Sequence, residues 1–312
     1  MKFASVEQTS TSRVAGWLSS FLAAFFRGSR KSEAGRGPKL PEIDATDCAI
    51  VAPPATPVGR PIALSVVVLR PEQGVRPKEG DASAAVGGLR RTFRRLEIDV
   101  ERGAEMRFRL ELPGLGITSR SESLIWQGAP AVVRFDLSVP LDVPPGALHG
   151  VVFADLDTVP VGLIKFTLDV VAAGAWPSEP EPRGDFAYPF RRAFISYAPS
   201  DRPEVLKRAQ MLAPLGIDFY RDVFNREPGE RWEDRFRRYV DECDLFLLFW
   251  SRAARRSETV LKEVQYARER RKSDMFGRPE IRPVHLESPP LLDAPPEISE
   301  LGLQDGLPYF VR

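Results

Sequence analysis

The stretch CDLFLLFWSRAARRSETVLKEVQYA, Cys243 to Ala267, decides how the carboxy-terminal part of the chain folds. Its apolar run Leu245 to Trp250 is too short for an ordinary helix and carries no polar side chain, which suits a parallel-sheet strand buried on both faces. Ser251 then opens a polar, arginine-rich loop. After Ser257, residues Val260, Leu261 and Val264 recur at helical spacing beside Glu258, Lys262 and Glu263. A strand feeding such a loop and then a helix puts the loop at the carboxyl end of the sheet, where open α/β sheets bind ligands.

Strands and helices alternate on both sides of this stretch, from Arg192 onward, which predicts a parallel sheet of about five strands with helices on its faces. Ala193 to Tyr197 reads as the first strand. Ser200 or Asp201 is expected to cap a helix with Pro203 in its first turn, and Gly216 to end it. Ile217 to Tyr220 is a second strand, RDVFNREPGE (221–230) the loop leaving it, and Glu230 to Glu242 a helix showing Trp232, Phe236, Tyr239 and Val240 to the core. Further strands are expected around Ile281 to Leu286 and at Tyr309 to Val311.

Upstream the period is two. Met106, Phe108, Leu110 and Leu112 alternate with Arg107, Arg109 and Glu111, and Val133, Phe135, Leu137 and Val139 with Arg134, Asp136 and Ser138. Ile164, Phe166, Leu168 and Val170 repeat the pattern. Pro and Gly punctuate the gaps, so residues 46–172 predict an all-β antiparallel sandwich of about seven or eight strands. Trp126 is expected in its core, and 79–91 as a loop or short helix. Arg90, Arg91, Arg94, Arg95 and Arg102 are expected to form a solvated outer face. No catalytic grouping is visible in this half, so its expected role is regulation or assembly.

Two segments read as connections. GAWPSEPEPRGDFAYPFR (174–191) carries four prolines and two glycines and predicts an interdomain linker over 173–190, so that a fragment beginning near Arg183 is expected to fold alone. At the amino end, within 1–45, Val14, Trp17, Leu18, Phe21, Leu22 and Phe25 follow the spacing of a short amphipathic helix, and GSRKSEAGRGPKLPE (28–42) reads as linker. The helix is expected to dock on its own protein or a sister subunit; membrane-surface contact aided by Arg27, Arg30 and Lys31 is the alternative. It is too short to span a bilayer. Phe25, Phe26 and Arg27 stand where a secretory cleavage site would need small residues.

Lys and Arg total 44 against 43 for Asp and Glu among 312 residues, so no global field argues for nucleic acid as a partner. Cys48 and Cys243 each adjoin apolar sequence and are expected as free thiols, in keeping with the cytoplasm. His149 and His285 stand far apart, and neither they nor the cysteines have metal-ligand spacing.

FISYAPSD (194–201), Glu227-Pro228-Gly229 followed by Trp232, DLFLLFWS (244–251) and SETVLKE (257–263), in this order, resemble a bacterial Toll/interleukin-1 receptor (TIR) domain over 191–312. LIWQGAP (124–130) and VPVGLIKF (159–166) resemble a sandwich module fused to such domains. The TIR resemblance implies an α/β flavodoxin-like fold, a homo-oligomer formed through TIR domains and, in many bacterial members, cleavage of NAD in defence against phage. It implies Glu263 as the catalytic glutamate, with Ser257 and Glu258 on the Ser-Glu that opens the motif. Thr259 and Val260 replace the family's tryptophan and cysteine, so contact with the substrate's base is expected to pass to Tyr197, Phe224 or Trp250, with Ser257 beside them.

One carboxylate suits this reaction, because nicotinamide leaves as a neutral molecule and no general acid is needed. Arg252, Arg255 and Arg256 are candidates to face the pyrophosphate, and a solvated loop is their alternative. No GxGxxG follows the first strand, so NAD is expected as a substrate and not as a cofactor. The alternative function is a noncatalytic TIR scaffold acting by self-association, with 221–230 as its interaction surface. An activating ligand or protein is expected at the sandwich.

Overall fold

The computed structural model describes residues 42–71, 94–174, 179–220 and 232–287. The expected amino-terminal helix, the 79–91 segment, Arg90 and Arg91, the 221–230 loop with Phe224, and the strand at 309–311 lie outside the described residues.

Period-two alternation becomes strands through the first half. In chain order these are β1 (Ile43–Ala52), β2 (Ala55–Pro57), β3 (Pro61–Leu69), β4 (Leu96–Glu101), β5 (Glu105–Leu112), β6 (Ile117–Ile125), β7 (Ala131–Ser138), β8 (Gly146–Leu156), β9 (Val159–Val171), β10 (Glu181–Arg183) and β11 (Phe186–Pro189). They form a five-stranded sheet of order β10-β1-β3-β7, with β4 also paired to β1, and a six-stranded sheet of order β11-β9-β8-β5-β6, with β2 also paired to β9. The alternating residues meet between the sheets, with Phe108, Leu110, Phe135 and Phe166 all buried. Trp126 is in this core as expected, its Nε1 donating to Asp44 at 3.0 Å. Arg95 and Arg102 are tied up in surface ion pairs, Arg95 with Asp47 and Arg102 with Asp44 and Glu42.

The expected linker over 173–190 is corrected. β10 adds antiparallel to β1 and β11 adds antiparallel to β9, so each sheet takes one edge strand from this segment. Proline misleads here because an edge strand has one row of N–H groups that no ladder needs, and Pro182 and Pro189 sit in these edge strands.

The second half is a four-stranded sheet among the described residues, of order β13-β12-β14-β15 and parallel throughout: β12 (Arg192–Ser196), β13 (Asp218–Phe219), β14 (Leu245–Trp250) and β15 (Glu280–His285). Its helices are α1 (Arg202–Ala209), α2 (Trp232–Glu242), α3 (Arg252–Arg255) and α4 (Glu258–Ser273). All six residues of β14 are buried, as its composition predicts. On one face Phe194, Phe246, Leu248, Trp250 and Ile281 pack with Phe236 and Val240 of α2 and Val260, Val264 and Ala267 of α4. On the other, Ala193, Ile195, Leu245, Leu247, Phe249 and Val284 pack with Val205 and Ala209 of α1 and belong to the same apolar cluster as the sandwich core.

The two halves therefore share a core. The outer face of the six-stranded sheet meets the parallel sheet: Asp155 of β8 lies 3.4 Å from Arg282 of β15, and Phe186 of β11 stacks on Phe276, with ring centroids 4.1 Å apart. Val159 to Ile164 of β9 are accordingly buried on both faces. Each side chain that loses such cover gives up about 1.5–3 kcal/mol. The full chain should unfold in one calorimetric transition, and a fragment beginning at Arg191 should melt lower than the full chain or fail to stay in solution. Two well-separated transitions in the full chain would restore the picture of independent domains.

Candidate active site

Strands β12 and β14 end side by side at Ser196 and Trp250, and the polar groups that follow them form the site. α4 has a core-facing stripe made of Val260, Glu263, Val264 and Ala267, all buried. The spacing is the ordinary amphipathic one, but one of the four positions holds a carboxylic acid. Glu263 is 5% exposed, and its Oε2 accepts a 2.6 Å hydrogen bond from Ser196 Oγ, which is itself buried.

Among the described residues the Ser196 hydroxyl is the hydrogen-bond partner of the Glu263 carboxyl, and no ion pair reaches it. Burial pushes this carboxyl up from 4.5 to about 8, with the Ser196 hydrogen bond pulling the other way. A buried acid without a cation is costly to ionise, and a core position could have been filled by an aliphatic side chain at no such cost. Its burial means that Glu263 is not a solvated surface glutamate.

Tyr197 follows Ser196 and is half-buried; burial pushes its hydroxyl up to about 12, opposed by Arg202 and reinforced by the charge of Glu263. Glu263 and Ser196 are thus brought together, while Tyr197 packs on the apolar cluster of the opposite sheet face. Trp250 is not among them. It is wholly buried in the cluster beneath α4, where it has no open ring face for a substrate to stack on. Ser257 is a helix cap, its side chain accepting from Val260 N at 3.3 Å. Phe224 lies outside the described residues.

The loop after β14 also differs from expectation, because its arginines are partly helical. Ser251 caps α3 by accepting from Ala254 N at 3.0 Å and donates to Asp201 Oδ2 at 2.5 Å. Asp201 occupies the cap position of α1 without capping it, because its carboxylate is turned to Ser251. Arg252 is ion-paired with Glu287 at 3.2 Å, and Arg255 and Arg256 are exposed.

Sequence reasoning passed over Ser196 and the Ser251–Asp201 pair. The available signal was a hydroxyl residue closing each of two apolar strands, in FIS (194–196) and LFWS (248–251). A separate groove of about 800 Å³ is lined by Asp47, Glu97 and Asp99 together with Arg94, Arg95 and Arg191, a mixture of signs without a catalytic grouping.

Residues 193–306 match a family model described as TIR domain. No curated protein matches the chain. Among solved structures it is similar to a CARDB domain from Pyrococcus furiosus, at 12% identity over 44% of this chain and 99% of that chain, with a TM-score of 0.26. It is also similar to a beta-glucosidase from Listeria innocua, at 13% identity over 48% of this chain and 20% of that chain, with a TM-score of 0.22. A DNA glycosylase from Pseudomonas fluorescens shows 12% identity over 42% of this chain and 30% of that chain, with a TM-score of 0.22.

The raised carboxyl of Glu263 sets a pH test of stability. In the unfolded chain it ionises near 4.5 and in the fold near 8, so the stability it permits is full below 4.5 and is lost as pH rises through about 8. Glu263→Gln removes that loss. Its melting temperature should match the wild type's near pH 4.5 and exceed it increasingly up to about pH 8, by on the order of a few kcal/mol in unfolding free energy. A gap that does not vary with pH would show that Glu263 ionises as freely in the fold as outside it.

Proposed function

We propose, from the TIR domain that residues 193–306 form, that this chain is an NAD glycohydrolase whose essential group is Glu263. The observation that carries the reading is the buried carboxyl held by Ser196 at the carboxyl end of a parallel sheet, with no cation paired to it among the described residues. The substrate itself can supply the missing positive charge. In NAD the nicotinamide ring is cationic, and as its bond to the ribose breaks, the positive charge passes to an oxocarbenium-like sugar. A carboxylate beside that carbon stabilises the developing charge most effectively where water is excluded.

The bond breaks with its electron pair going to the nicotinamide nitrogen, which becomes neutral. Water then adds to the ribosyl carbon and gives up a proton, or a hydroxyl of the same molecule adds and closes a ring. The products are nicotinamide and either ADP-ribose or its cyclised form. Glu263 must be ionised for this, so turnover should rise with pH below about 8, and a bound cation will draw its midpoint downward. Ser196 keeps one carboxyl oxygen fixed, leaving the other for the ribose.

NAD is a substrate in this reading, and the active form is a homo-oligomer assembled through TIR domains. The setting is the cytoplasm, in keeping with two buried free thiols, and the role is depletion of NAD in antiphage defence. Among the described residues no helix is long and apolar enough to cross a membrane. A second reading, a noncatalytic TIR scaffold, is favoured by three features: Thr259 is exposed where the family has tryptophan, Trp250 is buried, and Ser257 is engaged as a cap.

Purified protein at high concentration should release nicotinamide from NAD, with specific activity rising as concentration rises. Glu263→Gln should lose about a hundredfold to a thousandfold in turnover while remaining folded. Glu258→Gln, exposed in the first turn of the same helix, should keep most activity. Equal turnover by wild type and Glu263→Gln would remove the mechanism, and an assembled wild type without turnover would establish the scaffold reading.

A further inference from the structure

The helix that carries Glu263 is gripped unevenly. The side chains it buries in the apolar cluster are Val260, Val264 and Ala267, with Leu261 and Tyr266 half-buried against the same cluster, and all lie in its first ten residues. Beyond Ala267 it reads RERRKS, and none of these side chains is buried. What holds this end is polar. Arg270 lies 3.4 Å from Asp241 of α2 and 3.1 Å from Asp274. Arg271 lies 3.1 Å from Glu280 of β15, a carboxylate that is itself buried.

These ties lead into the sandwich. Glu280 is 3.7 Å from Arg282, and Arg282 reaches Asp155 of β8 at 3.4 Å with its guanidinium 4.7 Å from the Phe153 ring centroid. Arg109 of β5 lies over the same ring at 4.2 Å. The turn that follows α4 is clasped more directly. Lys165 Nζ of β9 donates to the carbonyl of Phe276, and the ring of Phe186 in β11 stacks on that of Phe276 with planes 10° apart. Asp274 makes the turn rigid by accepting from the backbone N–H groups of Phe276 at 2.9 Å and Arg278 at 3.0 Å.

We infer that Lys165 and Phe276 are positioning residues for Glu263: through them the sandwich fixes the far end of α4 and so the placement of the carboxyl against Ser196. Eight residues separate Glu263 from Arg271, about 12 Å of helix, and over that length a hydrogen-bonded helix moves as one rod. A displacement of about 1 Å at a reacting group can cost about a hundredfold in rate. The consequence for turnover rests on the glycohydrolase reading; the mechanical claim rests on the contacts alone.

The test uses the full chain with Lys165→Met and Phe276→Ala, and with Lys165→Arg and Phe276→Tyr as variants that keep the donor and the stacked ring. Deuterium uptake over α4 should rise in the first two and stay at the wild-type level in the second two. In the first two the kcat for NAD should fall about tenfold to a hundredfold with KM little changed, and the conservative pair should restore it. Unchanged turnover, faster turnover, or a fall in turnover without higher uptake over α4 would each overturn the proposal, faster turnover marking the clasp as a restraint. If wild type releases no nicotinamide, the reaction reading fails by itself. The positioning claim is then decided by the pH midpoint of the stability gap between Glu263 and Glu263→Gln: it should move downward in the Lys165→Met background as water reaches the carboxyl, and an unmoved midpoint would overturn the claim.

Discussion

A six-residue strand without a polar side chain has to be covered on both faces, and the architecture follows from how β14 meets that demand. Leu245, Leu247 and Phe249 point one way, and Phe246, Leu248 and Trp250 the other, and all are buried. Three helices, α2, α3 and α4, cover the second set. Among the described residues the first set packs with α1 and with Leu212 and Ile217 beyond it, and the apolar cluster continues from there into the sandwich. The outer face of the six-stranded sheet is therefore an internal surface near β15. That accounts for the burial of Phe153 and Asp155 at positions where an isolated sandwich would show polar residues to water.

The same seam explains how charges come to be buried so far from the candidate site. Glu280 and Asp155 are buried and Arg282 is nearly so, and each has an opposite charge within 4 Å. Ion pairs of this kind add little net stability, because desolvation offsets much of their attraction, but leaving one partner unpaired is expensive. They favour one way of seating the sandwich on the sheet over others that would bury the same area. The contrast with Glu263 is instructive. It is as buried as Glu280, but among the described residues it has the Ser196 hydroxyl beside it where Glu280 has Arg271 and Arg282, and burial pushes its carboxyl up to about 8.

Local pattern decided much of this in advance. The period-two runs became strands, LFLLFW became a strand buried on both sides, and SETVLKE became a helix opening at Ser257, because each depends on neighbours within a few residues. Glu263 is singled out by the resemblance of SETVLKE to the family's motif, its burial being visible only in the fold, and the order of the four motifs points to the TIR domain that the match over 193–306 supports.

What sequence could not decide were choices made by distant chain. Pro182 and Pro189 belong to strands because β1 and β9 offer free edges to them, a fact invisible in the composition of 173–190. Trp250 is a core residue because α4 folds back over it, and Asp201 leaves α1 uncapped because Ser251, fifty residues away, is the better donor at 2.5 Å. Ser196 meets Glu263 across 67 residues of sequence. Periodicity reports which side of an element faces inward. Which groups meet there depends on how the elements pack, because burial and hydrogen bonding act between surfaces brought together only in the folded chain.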